Sequence, residues 1–120
     1  LDHFKRINDI YGHASGDAVL IEVAQRLSQN LRGVDMLARI GGEEFLIVMP
    51  ATPFSEARVA ASRLCRKIGG QGFNVPGSND RINVTVSIGV TMGGSGEIAR
   101  NDSRGSDRTC VAGCRGQSAL

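Results

Sequence analysis

Apolar residues recur along the first half of the chain at helical spacing, and then the period shortens to that of strands. DHFKRINDIYG predicts a short helix with Phe4, Ile7 and either Ile10 or Tyr11 on one face. GHASGD interrupts this pattern with two glycines. A second helix is expected from about Asp17 to Leu31, with Leu20, Ala24, Leu27 and Leu31 as its apolar stripe. MLARI and FLIVM read as strands joined by a tight turn at GGEE. FLIVM has no polar interruption and is expected to be buried on both faces. Thr52 and Pro53 resemble the cap and first residue of a third helix, with Ala57, Ala60, Leu64 and Ile68 inward and Gly69 and Gly70 at its end. INVTVSIGVTM is the clearest strand signal, since Ile82, Val84, Val86, Ile88, Val90 and Met92 alternate strictly with smaller or polar residues. Residues 93–120 are rich in Gly, Arg and Ser without a period, and read as an atypical, flexible tail.

Helix, helix, hairpin, helix, strand is the pattern of an α+β fold, a central and mostly antiparallel sheet flanked by helices. The 120 residues suffice for one domain with a core and are too few for two. Hydrophobic residues make up 41% and charged residues 22%, as in ordinary globular proteins. Fourteen Lys and Arg against twelve Asp and Glu leave +2, which is no nucleic-acid footprint. No run is long or apolar enough to span a membrane, and no signal peptide is visible. Of the three cysteines, Cys65 reads as a small buried hydrophobe, and Cys110 and Cys114 lack a second pair for a zinc site. So sparse a count suits a reducing, cytoplasmic compartment. The chain opens inside a motif without an initiating Met, and is read as a piece of a longer protein.

The GGEE turn carries the candidate chemistry. Gly41 and Gly42 remove two side chains, so a ligand can approach the backbone and its N–H groups. Glu43 and Glu44 add two carboxylates. Carboxylates beside open N–H groups are what a magnesium nucleotide needs, because the metal takes one or two carboxylates plus substrate phosphates. Taken alone, the same residues are also a solvated turn with two surface glutamates.

Several motifs together go further. DHFKRINDIYGHASGD, then GGEEF, then NVTVSIGV, in this order and spacing, resemble the GGDEF domain of bacterial diguanylate cyclases over residues 1 to about 92. The resemblance implies a fold similar to adenylate cyclase catalytic cores and polymerase palm domains. It implies condensation of two GTP into cyclic di-GMP, with Mg²⁺, or Mn²⁺ in its place, as cofactor and a homodimer as the active species. The different class of function it leaves open is a non-catalytic receptor that binds GTP or cyclic di-GMP to regulate a partner. In either case an upstream sensor or receiver domain is implied in a parent protein, which a membrane anchor would still leave facing the cytoplasm.

Residue roles also follow from the resemblance. Glu43 matches the metal carboxylate that helps deprotonate the ribose 3′-hydroxyl, Glu44 the second acidic position, and Leu1 a backbone carbonyl ligand. Gly41 and Gly42 match the glycines beneath the nucleotide. Asn8 and Asp17 match the readers of the guanine edge, and an amide and a carboxylate suit that edge chemically. Without the motif they are an ordinary polar helix residue and a helix N-terminal acid. Phe4 and Lys5 match the turn that meets the phosphates, with Lys5 a point charge on the triphosphate or else a solvated lysine. His3 stands where Phe is frequent, so only its backbone role carries over. His13 matches the step beside the base pocket, or simply orders the turn, and Arg39 would support the site from behind. RGVD matches the RxxD product-inhibition site, with Arg32, Asp35 and a secondary Arg63, although a bare RxxD is also a common surface ion pair. The family has a further metal-binding Asp just before the position of Leu1, and a phosphate-contacting helix and last strand that residues 93–120 do not reproduce. These 120 residues alone are therefore expected to be inactive.

Overall fold

The computed structural model describes residues 1, 3–94 and 108–115. Three helices, α1 (Phe4–Tyr11), α2 (His13–Gln29) and α3 (Phe54–Gly69), accompany six strands: β1 (Met36–Gly41), β2 (Glu44–Met49), β3 (Phe73–Asn74), β4 (Arg81–Ile82), β5 (Ser87–Gly94) and β6 (Arg108–Arg115). The main sheet has the order β1-β2-β6-β5 with every pairing antiparallel, and β3 and β4 form a separate small ladder. This is the expected α+β fold.

Phe4 and Ile7 are the buried face of α1. Tyr11 packs against the core beside them, while Ile10 points outward. Gly12 ends α1 and starts α2. At φ 89° it takes a left-handed conformation that a Cβ would oppose, and its N–H caps the Asn8 carbonyl at 2.8 Å. Helix α2 begins four residues earlier than the apolar period indicates. Ser15 and Gly16 are helical and buried against α1. The α2 stripe is Val19, Leu20, Val23 and Leu27, whereas Ala24 and Leu31 are only half-buried. The β-branched pair inserts because α2 is covered both by α1 and by α3.

Helix α3 buries Ala57, Ala61, Leu64 and Ile68, and packs on β5 and β6. It starts one residue later than expected. Pro53 is its cap, and the Thr52 hydroxyl instead donates to the Pro50 carbonyl at 3.0 Å. In β2, Phe45, Ile47 and Met49 are buried, while Leu46 and Val48 are half-buried. The expectation of burial on both faces fails because the described helices lie against one face of this sheet. Cys65 is half-buried rather than fully so, and its Sγ donates to the Val86 carbonyl at 3.6 Å.

The long alternating run does not form one strand. Ile82 belongs to β4 opposite Phe73, Val84 and Val86 are buried in extended chain, and Ile88, Val90 and Met92 lie in β5. The alternation held, but the run serves two ladders. The flexible-tail expectation does not describe 108–115, whose backbone pairs with β2 on one side and β5 on the other. RTCVAGCR shows no alternation, and a strand flanked on both edges is held by ladder hydrogen bonds that no local pattern reports. The remainder of 95–120 lies outside the described residues.

Arg26 fastens α2 to the chain leaving α3. Its side chain is only 12% exposed. It donates to Glu22 Oε1 at 2.9 Å and to the carbonyls of Gln71 at 2.8 Å and Gly72 at 2.9 Å, and its guanidinium stacks 3.8 Å from the Phe73 ring centroid. Arg26→Ala is expected to cost about 2–4 kcal/mol, the sum of charge-assisted hydrogen bonds and a desolvated cation–π contact. Arg26→Lys should recover little, because an ammonium cannot span these acceptors. Urea unfolding of the three proteins measures this. A loss under 1 kcal/mol in the alanine variant would show that the fastening is redundant.

Candidate active site and product groove

The acidic turn is built by strand pairing. Arg39 pairs with Phe45 and Gly41 with Glu44, with an irregularity between Arg39 and Gly41, so Gly42 and Glu43 form the tip. Arg39 Nε donates to the Gly42 carbonyl at 2.9 Å and braces that tip. Both glutamates are half-buried. Leu1 is fully buried, and its nitrogen donates to the Glu43 carbonyl at 3.4 Å. The structure thus sets the backbone of Leu1 against that of Glu43, next to Glu44 in the turn.

A cleft of about 530 Å³ lies between α2 and the two hairpin strands, next to this turn. Asp17, Leu20, Ile21, Ala24, Leu37, Arg39 and Phe45 line it. Arg39 therefore belongs to both the cleft and the turn. Asp17 is exposed at the cleft wall. Asn8 comes close to the same part of α2, against the backbone of Gly16, the residue before Asp17. Asn8 Oδ1 is buried and has no hydrogen-bond partner among the described residues. Phe4 is buried beneath it, while Lys5, His3 and His13 are exposed. His3 takes a left-handed conformation at φ 58° where α1 begins.

Among the described residues, no three His, Cys, Asp or Glu side chains gather into a metal-binding group. The turn offers two carboxylates with the main chain of Leu1 against it. That set is too sparse for an all-protein cage, and it fits a hard divalent cation that completes its shell with nucleotide phosphates and water.

At the other end of β1, Arg32 and Asp35 close the connection from α2. Arg32 Nη2 donates to Asp35 Oδ1 at 2.9 Å and to Thr52 Oγ1 at 2.5 Å, and the Arg32 N–H donates to Asp35 Oδ2 at 2.8 Å. The hydrogen bond to Asp35 and the nearby charges of Asp35 and Glu56 push the guanidinium further above its ordinary pKa, so Arg32 stays charged wherever the protein is folded. Arg63 Nη2 donates to the Asn30 carbonyl at 3.1 Å. Arg32, Asp35 and Arg63 share one groove of about 370 Å³ with Thr52, Glu56 and Val59. The sequence marks Thr52 only as a helix cap. Its place beside Arg32 was hidden because the two meet across the ends of the hairpin. In the sequence Gly16 counts as an interruption of the helical pattern, although a glycine inside a helix is a signal of close packing.

A glycine-glycine-glutamate-glutamate turn beside a cleft on an antiparallel α+β sheet defines the class, a GGDEF domain. Residues 1–111 match the diguanylate cyclase GGDEF domain family, and the chain belongs to it. It is 45% identical to the response regulator PleD of Caulobacter vibrioides over 91 residues, 76% of this chain and 20% of that protein. It is 43% identical to the diguanylate cyclase DgcP of Pseudomonas aeruginosa, over 76% of this chain and 13% of that one. The chain therefore spans a fifth or less of these two relatives. Among solved structures it resembles the diguanylate cyclase SiaD of Pseudomonas aeruginosa in complex with its activator SiaC, with TM-score 0.65 and 37% identity, over 70% of this chain and 32% of that one. It also resembles the GGDEF domain of DgcB from Caulobacter crescentus in complex with c-di-GMP, with TM-score 0.66 and 28% identity, over 70% of this chain and 50% of that one. Membership ties the domain to cyclic di-GMP signalling in bacteria, and cyclases of this family generally depend on a divalent metal. Among the described residues no helix is long and apolar enough to cross a membrane.

Proposed function

We propose that the protein carrying this domain condenses two GTP molecules into cyclic di-GMP and releases two pyrophosphates. The observation that carries this is the acidic turn joined to the Asp17 cleft through Arg39, which lines the cleft and donates to Gly42. One domain holds one GTP. In an antiparallel homodimer each ribose 3′-oxygen attacks the partner's α-phosphorus, and the bond from that phosphorus to the β-phosphate bridging oxygen breaks. The 3′-hydroxyl proton passes to a base, for which Glu43 is the candidate.

Asn8 and Asp17 read the guanine edge, and His13 borders the base. Gly41 and Gly42 let the nucleotide approach the turn, and the backbone around Phe4 meets the phosphates. Lys5 adds positive charge to the triphosphate. Glu43, Glu44 and the Leu1 carbonyl would hold Mg²⁺, with Mn²⁺ as substitute, which supplies charge neutralisation on the phosphates when bound. Positioning the two nucleotides supplies the rest of the rate.

A second ligand is favoured by the groove at Arg32, Asp35 and Arg63, which places two guanidinium groups on one wall and suits cyclic di-GMP as inhibiting product. Incubation of the full-length protein with Mg-GTP, with product resolved by chromatography, tests the main reading. Cyclic di-GMP is the expected product. Retention of GTP with no turnover, together with binding of cyclic di-GMP, would establish the receptor function in its place.

A further inference from the structure

Gly16 is the fourth residue of α2, and glycine is unfavourable to a helix. It is buried, and its N–H donates to the Gly12 carbonyl at 3.1 Å, so its backbone is ordinary helix. It carries no positive φ that would call for glycine. The requirement is spatial. A Cβ at this position would lie 1.8 Å from Asn8 Oδ1, 2.9 Å from Asn8 Cγ and 3.1 Å from Phe4 Cζ. The same Asn8 oxygen is buried without a partner among the described residues. A buried amide oxygen left unbonded is costly, and it persists here because the bare Gly16 backbone and Phe4 leave it that place.

We propose that Gly16 is a positioning residue that sets base specificity. Its missing side chain lets the Asn8 amide lie against α2, beside Asp17, in the orientation that reads guanine. This rests on the guanine-reading role of Asn8 and Asp17 proposed above. Any larger residue at 16 displaces the amide, because the end of a side chain gives way before the backbone of two packed helices. The energetic cost of a helical glycine is then tied to recognition as well as to packing.

The test uses the full-length protein with Gly16→Ala, Asn8→Ala and the double variant. Competition binding of GTP against ATP, KM and kcat for GTP, and the thermal midpoint are measured for each. Gly16→Ala is expected to raise the KM for GTP about tenfold or more, with a smaller change in kcat, and to narrow the preference for GTP over ATP, as loss of a hydrogen bond in a preformed site does. The double variant should be no worse than Asn8→Ala alone, since the colliding oxygen is gone. A Gly16→Ala protein that keeps its KM and base preference while Asn8→Ala loses them overturns the proposal and leaves the guanine site standing. An Asn8→Ala protein with unchanged KM and preference overturns the guanine reading itself. Should Gly16→Ala be too unstable to assay, recovery of the thermal midpoint in the double variant supports the contact, and no recovery refutes it.

Discussion

Glu43→Gln in the full-length protein should reduce cyclic di-GMP formation by on the order of 10³-fold or more. A carboxylate at the turn tip would be lost both as a metal ligand and as the candidate base for the 3′-hydroxyl, and each such contribution amounts to several kcal/mol of barrier. The fold should survive. The Glu43 backbone carbonyl accepts a hydrogen bond from the Leu1 nitrogen, and glutamine keeps that carbonyl. A half-buried neutral isostere in a hairpin tip changes stability by about 0.5 kcal/mol or less. Glu44 remains, so the variant should also need more divalent cation for whatever activity is left. Product formation and the thermal midpoint are read together over a magnesium titration. Near-normal turnover in a folded variant would remove Glu43 from the metal site and from the base role.

Arg32→Ala should raise the concentration of cyclic di-GMP that halves the rate by about ten- to a hundredfold. A single charge-assisted guanidinium–phosphate contact is of that order. The structure makes the effect sharper than a bare RxxD motif would suggest. Asp35 is only 4% exposed in its side chain, and together with Thr52 it fixes the Arg32 fork. The groove lies about 20 Å from the acidic turn, at ~3.3 Å per residue along β1. Product bound there would therefore act through the hairpin or a dimer and not by occupying the nucleotide cleft. The readout is the ratio of inhibited to uninhibited rate within each variant. Arg32→Lys should recover part of the inhibition, since it restores the charge without the fork. An unchanged ratio in Arg32→Ala would reduce RGVD to a local ion pair.

Much of the candidate site was legible because its parts are local. The turn, its two glycines and its two glutamates are consecutive, and the flanking strands carry their own signals. Asn8 and Asp17 belonged to one quotable motif, and the RGVD pair closes within four residues. What the sequence did not show are contacts between distant segments. Arg39 braces Gly42 from the first hairpin strand, a contact that no local pattern specifies. The bond from Arg32 to Thr52 joins residues 20 apart, and the contact of Asn8 with Gly16 crosses from one helix to the next.

The sequence by itself determined the α+β class, the hairpin and its acidic tip, the inward face of α1 and that of α3 except that Ala61 and not Ala60 is fully buried, because side-chain period and turn chemistry act over a few residues. The tertiary structure decided how the 82–92 run is divided between β4 and β5, since alternation specifies a face and not a partner. It decided that 108–115 pairs between β2 and β5, since ladder hydrogen bonds are made by backbone that every residue carries. It also decided that α2 begins at His13 and runs through Gly16, because α1 packed against it offsets the helical cost of glycine.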